Sequence, residues 1–228
     1  MSQRCPLLIF VGADKGGVGK TMISRVVADY AMTHGVTPHF IDTQPGGDLR
    51  RYYPSAELID VEKVAGQMKL FDQLTPTSTV LIDIRAGLLS PVLIAMRNHG
   101  LLADAKAGHL RIVVLHVLAP IKTSLREVEE VAGMLAPAGE GKVYAPIQNH
   151  INDTAFPDFP AINIPQLSEE VCEALDKNAL TMEGFVAEQT NSRVLRGALR
   201  HWLDRCYAEL DRAGLRDELR KQAVTGRV

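Results

Sequence analysis

The chain has 228 residues, 46% of them hydrophobic and 23% charged, with 25 basic against 27 acidic side chains. With 18 Gly and 12 Pro spread along it, it reads as one globular domain over 1–228, and the composition excludes collagen-like, coiled-coil and wholly disordered classes. The net charge of -2 argues against nucleic acid only as an average: residues 1–189 carry 16 basic and 22 acidic groups, residues 190–228 carry 9 and 5, so the basic C-terminal segment needs its own reading.

The first apolar run, Leu7 to Val11, is short and unbroken, as in a strand buried on both faces of a parallel sheet. A glycine-rich turn follows, then a helical pattern from Thr21 to about Thr33 that ends at His34-Gly35. A second strand, His39 to Ile41, ends in Asp42; a third, Thr79 to Ile82, ends in Asp83. Leu110 to Val117 is a strong further strand and Lys142 to Ile147 a weaker one. Helices are expected at about 60–72, 88–99, 122–136, 168–177 and 190–212, and a loop around a short extended segment from Ala155 to Pro165. Strands alternating with helices predict an α/β fold, a doubly wound, mainly parallel sheet flanked by helices.

The three cysteines, Cys5, Cys172 and Cys206, have no disulfide or metal spacing and read as buried or half-buried thiols acting as small hydrophobes. Neither a spanning segment nor a secretory leader is evident, which gives the expectation of a cytoplasmic protein.

The most informative stretch is Gly12-Ala13-Asp14-Lys15-Gly16-Gly17-Val18-Gly19-Lys20-Thr21, between the first strand and the first helix. A loop there aims backbone N–H groups and the helix N-terminus at an anion. Gly16, Gly17 and Gly19 allow close approach and positive φ. Lys20 suits the β- and γ-phosphates, the Thr21 hydroxyl suits a Mg²⁺ position, and Val18 and Met22 complete the cradle. On average residue frequencies, the chance of such a lysine-glycine pattern in a chain this long is on the order of 10⁻⁵ to 10⁻⁴.

Asp14 stands where the strict phosphate-loop pattern has its first glycine, and Lys15 follows it. This arrangement resembles the deviant phosphate loop of the ParA/MinD family of partition and cell-positioning ATPases. The resemblance implies ATP and Mg²⁺ as cofactors, an ATP-dependent homodimer in which Lys15 contacts phosphates across the interface, and a partner protein that stimulates hydrolysis. Asp14 either points away, pairs with a neighbouring base or weakens binding by repelling phosphate.

Two further motifs are similar to the family's switches. Asp42-Thr43-Gln44-Pro45 matches the first in place, and Asp83-Ile84-Arg85-Ala86-Gly87 the second. Asp42 and Asp83 lie at carboxyl ends of strands, where open α/β sheets bind ligands, and paired acids with Thr21 suit Mg²⁺; either also reads as a cap or turn residue. By resemblance the Gly87 N–H faces the γ-phosphate. Gln44 replaces the aspartate that positions the attacking water, so hydrolysis is expected to be slow or partner-dependent; Asp48 is a substitute at the wrong spacing. Arg85, where the family has proline, is either a surface residue or a cation near the γ-phosphate or the partner subunit. Asn149, blurred by His150 and Asn152, is either a turn residue or, as the resemblance implies, the reader of adenine, with Pro165 similar to the family's loop over the base.

In the tail, Leu195, Leu199, Trp202, Cys206 and Leu210 recur at helical spacing while Arg193, Arg196 and Arg200 form another stripe. One reading is a packed amphipathic helix with a solvated basic face; the other, implied by the resemblance to partition ATPases, is salt-dependent, nonspecific DNA binding. Leu215 to Val228 is too polar for a membrane-lying helix. The function expected is an ATP-driven dimerisation switch in DNA partition, plasmid maintenance or mobilisation. The alternatives are a phosphate-loop biosynthetic ligase of the dethiobiotin or cobyrinate type and a non-hydrolysing nucleotide switch.

Overall fold

The computed structural model describes residues 4–121, 123–151 and 155–223. Seven strands form one sheet: β1 Leu7–Gly12, β2 His39–Asp42, β3 Glu57–Leu58, β4 Thr79–Asp83, β5 Arg111–Leu118, β6 Lys142–Asn149 and β7 Ile162–Ile164. Their order across the sheet is β3-β2-β4-β1-β5-β6-β7, and every pairing is parallel. The chain winds one way from β1 and the other way from β5, so its direction reverses beside β1, whose carboxyl end carries the glycine loop.

The helices are α1 Lys20–Thr33, α2 Val64–Phe71, α3 Leu89–Asn98, α4 Leu101–Ala107, α5 Thr123–Leu135, α6 Glu169–Asn178, α7 Met182–Ala187, α8 Arg193–Arg212 and α9 Leu215–Gln222. Alternation along β1 shows how the sheet is covered. Leu7, Ile9 and Val11 pack into a core with α1 and α6 to α9, whereas Leu8 and Phe10 pack into a second core with α2 to α5. All five are fully buried, each stabilising the fold by roughly 1.5–3 kcal/mol. The expected doubly wound parallel sheet flanked by helices is what the chain forms.

Several boundaries differ from expectation. The helix expected from 60 begins only at Val64, because residues 60–63 close a turn in which the Lys63 N–H donates to the Asp60 carbonyl at 3.2 Å. The helix expected to 99 stops at Asn98, and Gly100, with φ 82°, starts the unforeseen α4. The helix expected from 190 starts at Arg193, since the Thr190 N–H and hydroxyl both donate to the Glu188 carboxylate. The β6 strand runs two residues further than read, to Asn149, and the extended segment before Pro165 is β7. Residues 122, 152 and 224–228, on which parts of the expected α5, of the Asn149 alignment and of the basic tail fall, lie outside the described residues. Among the described residues no helix is long and apolar enough to cross a membrane; Leu215 and Leu219 of α9 are buried in the core instead.

Candidate functional site

The glycine loop is an arch with two buried feet. Ala13 and Val18 are 1% and 7% exposed, which pins both ends, and Lys15, Gly16 and Gly17 form an exposed crest. Gly19 caps α1 in a left-handed conformation, with no side-chain cap and no acid in the first turn, so the positive end of the helix faces the loop uncompensated. Lys20 folds back across the arch, its Nζ donating to the Lys15 carbonyl at 3.3 Å. Burial lowers its pKa, and Asp83 and Asp48 oppose that shift.

Lys15 reaches Glu127 of α5 at 3.6 Å, with 48% of its side chain exposed. Asp14 does not join the arch. Its carboxylate accepts the Ser90 hydroxyl at 2.7 Å and the Ser90 N–H at 3.4 Å, fastening the start of the loop to the first turn of α3. Among the readings open for Asp14, the side chain points away, and only its backbone is left to a ligand.

The register that pairs Asp42 with Asp83 brings the two strand-end carboxylates side by side. Asp83 Oδ2 accepts the Thr21 hydroxyl at 2.8 Å, whereas Oδ1 is buried with no partner. Burial pushes the Asp83 carboxyl up to about 7, the Thr21 hydroxyl pulls it down and Asp42 pushes it up again. An orphaned carboxylate oxygen beside a helix-cap hydroxyl suits a hard cation. Two protein oxygens would leave such an ion to complete its shell with water or phosphate; among the described residues no group of three or more His, Cys, Asp or Glu is placed to hold one.

Both Asp42 oxygens accept backbone N–H groups, from Gln44 and Leu49 at 2.8 Å each, so the residue serves the turn, and each oxygen keeps one further acceptor site. Gln44 is half-buried and lines a cavity of about 290 Å³ with Asp42, Thr43 and Arg85. Arg85 sends its guanidinium to Glu62 on the outer wall of that cavity. The Gly87 N–H, expected to face the γ-phosphate, donates to the Ala13 carbonyl at 3.2 Å.

On the other side of α1 a cavity of about 340 Å³ is lined by Gly19, Met22, Asn149, Pro165, Cys172 and Trp202, among others. Met22, Asn149 and Pro165 are thus brought together as expected. Asn149 sits at a strand end, its Nδ2 donating to the Val18 carbonyl at 3.0 Å; a Cβ on Gly19 would stand 2.2 Å from that nitrogen. Trp202 Nε1 donates to the Pro165 carbonyl at 2.7 Å, so α8 holds the segment that roofs the cavity. Sequence reasoning placed Trp202 only in a hydrophobic stripe; that it is the single tryptophan of the chain was the available signal.

The arginine stripe is not a uniform free surface. Arg200 grips Glu183 with both terminal nitrogens, Arg196 donates to the Val186 carbonyl at 3.4 Å, and Arg193 is exposed. Further along, Arg212, Arg216, Arg220 and Lys221 are each paired with an acid.

No family model and no curated protein matches the chain. Among solved structures it is similar to a nucleotide-binding protein from Archaeoglobus fulgidus in complex with ADP, at 15% identity over 88% of this chain and 87% of that one, with a TM-score of 0.42.

Proposed function

We propose that the chain binds Mg²⁺-ATP on the glycine loop and acts as a ParA/MinD-like, ATP-driven dimerisation switch with slow or partner-stimulated hydrolysis. The observation that carries the reading is the conjunction, at one end of the sheet, of an uncapped α1 N-terminus, Lys20 lying across the loop, the Thr21–Asp83 pair with its orphan oxygen, and a cavity large enough for a base. Backbone N–H groups of residues 16–21 and Lys20 hold the phosphates. Thr21 and Asp83 hold Mg²⁺, which neutralises phosphate charge when bound. In the adjoining cavity, the Asn149 carbonyl oxygen accepts the 6-amine of adenine, where guanine carries a carbonyl instead. The Gly87 N–H would have to leave Ala13 to reach a γ-phosphate.

Lys15 stands on the exposed crest, where a second subunit can be reached, and its cross-subunit role follows from the resemblance. For nonspecific DNA the candidates narrow to Arg193 and Arg196, with Arg200 already matched by Glu183; a dimer would double the patch.

A second reading, the non-hydrolysing switch, is favoured by Asp42 and Gln44. With both Asp42 oxygens on backbone donors and an amide at 44, neither residue offers a free carboxylate to take a proton from water; the exposed Asp48 is the carboxylate left in the segment. The test is a titration of Trp202 fluorescence with ATP and GTP, with and without Mg²⁺, alongside phosphate release with and without DNA. Binding should be saturable, tighter for Mg²⁺-ATP, and lost in Lys20→Ala. No response to either nucleotide would sink the proposal, and tight binding without any turnover would select the second reading.

A further inference from the structure

The pairing of β2 with β4 ends at Asp42 and Asp83, yet the two chains stay joined beyond it. The Thr43 N–H and the Thr43 hydroxyl both donate to the Asp83 carbonyl at 3.1 Å, and the Thr43 hydroxyl oxygen accepts the Arg85 N–H at 2.7 Å. Thr43 is 7% exposed, so bulk water has little access to replace these bonds. Each joined segment is also a unit in itself. Asp42 hangs residues 44–49 on its two oxygens, while the Ile84 and Gly87 N–H groups tie residues 84–87 to the Val11 and Ala13 carbonyls, at 2.8 and 3.2 Å. The bonds therefore run without a gap from the glycine loop through 84–87 and Thr43 to 44–49. A hydroxyl is needed at the join, because one side-chain atom must donate to one strand end and accept from the next residue but one.

We propose that Thr43 is a positioning residue that couples the segment after β2 to the segment after β4, so that a nucleotide on the glycine loop orders both together. The proposal rests on the nucleotide reading. Thr43→Val keeps the shape and removes the hydroxyl; Thr43→Ala removes it without pressing a methyl against the Arg85 N–H, should the valine variant fail to fold; Thr43→Ser restores it.

The experiment is amide hydrogen exchange over residues 44–49 and 84–88, with and without Mg²⁺-ATP, with Trp202 fluorescence recorded on the same samples. In the wild type and Thr43→Ser, Mg²⁺-ATP should slow exchange in both segments. In Thr43→Val or Thr43→Ala the slowing should persist at Ile84 and Gly87, whose N–H groups bond to the glycine loop and its strand, and fall about tenfold or more at 44–49, the effect of losing the hydroxyl's two buried hydrogen bonds. Undiminished protection of 44–49 in those variants, with the fluorescence response intact, overturns the coupling alone, as does a Thr43→Ser variant that behaves like Thr43→Val. A wild type with no fluorescence response overturns the nucleotide reading and the coupling with it.

Discussion

At the scale of single residues, two glycines of the loop separate two physical effects. Gly17 and Gly19 both have positive φ, 73° and 82°, but a Cβ at Gly17 would meet nothing within 4 Å, whereas one at Gly19 would stand 2.2 Å from Asn149 Nδ2. Gly17→Ala should therefore suffer only the left-handed strain, roughly 1–2 kcal/mol, and keep its preference for ATP over GTP. Gly19→Ala suffers the same strain and also displaces the Asn149 amide, so its preference should collapse; the fluorescence titration with the two nucleotides reads the difference, and equal behaviour of the two variants would contradict the placement of Asn149. Both glycines were legible in the sequence because their spacing advertises them. Thr43 was not, because it acts through backbone groups that only the parallel register brings within reach, and neither was Ser90, whose partner Asp14 stands 76 residues away in sequence.

At the scale of elements, the long and regular ones were legible and the short ones were not. Unbroken runs such as Leu7 to Val11 announce a strand covered on both faces, but β3 has two residues, and α7 has six with Gly184 among them. The helix α9 places two buried leucines among charges and is held by a two-bonded pair between Arg111 and Glu218, at 2.6 and 2.7 Å, 107 residues apart in sequence; no local pattern records that. Helix α8 was foreseen as a packing element, yet its contact with Pro165 makes it part of the cavity wall. Trp202→Phe keeps most of the apolar ring and removes the N–H, so the fold should lose about 1 kcal/mol while the roof over the cavity loosens. Calorimetric ATP titration, which does not depend on the lost fluorophore, should show affinity falling about tenfold or more, beyond the effect of that single bond. Unchanged affinity would mean that the Pro165 segment holds its place without α8.

For the whole molecule, the proposed dimerisation turns on the crest of the loop and on the charge of the tail. Of the tail's basic side chains, Arg200, Arg212, Arg216, Arg220 and Lys221 are paired with acids, and all but Arg200 with acids of the tail itself, so most of the excess charge is left unmatched; among the described residues, Arg193, Arg196 and Arg205 of α8 have no ion pair. Lys15 is differently placed. Its contact with Glu127 is long, 3.6 Å, and half exposed, and such pairs contribute about 0–1 kcal/mol. Little free energy therefore holds Lys15 on its own subunit, and Lys20, beneath it, is left to hold phosphate. Light scattering should show the 24.9 kDa chain doubling in mass with Mg²⁺-ATP. Lys15→Ala should bind the nucleotide with near wild-type affinity yet stay monomeric, and Glu127→Gln, which frees Lys15, should dimerise at least as well as the wild type. An alanine variant that still doubles in mass would show that Lys15 does not bridge subunits, and loss of binding in the same variant would assign it to its own subunit's nucleotide, as the ligase reading requires.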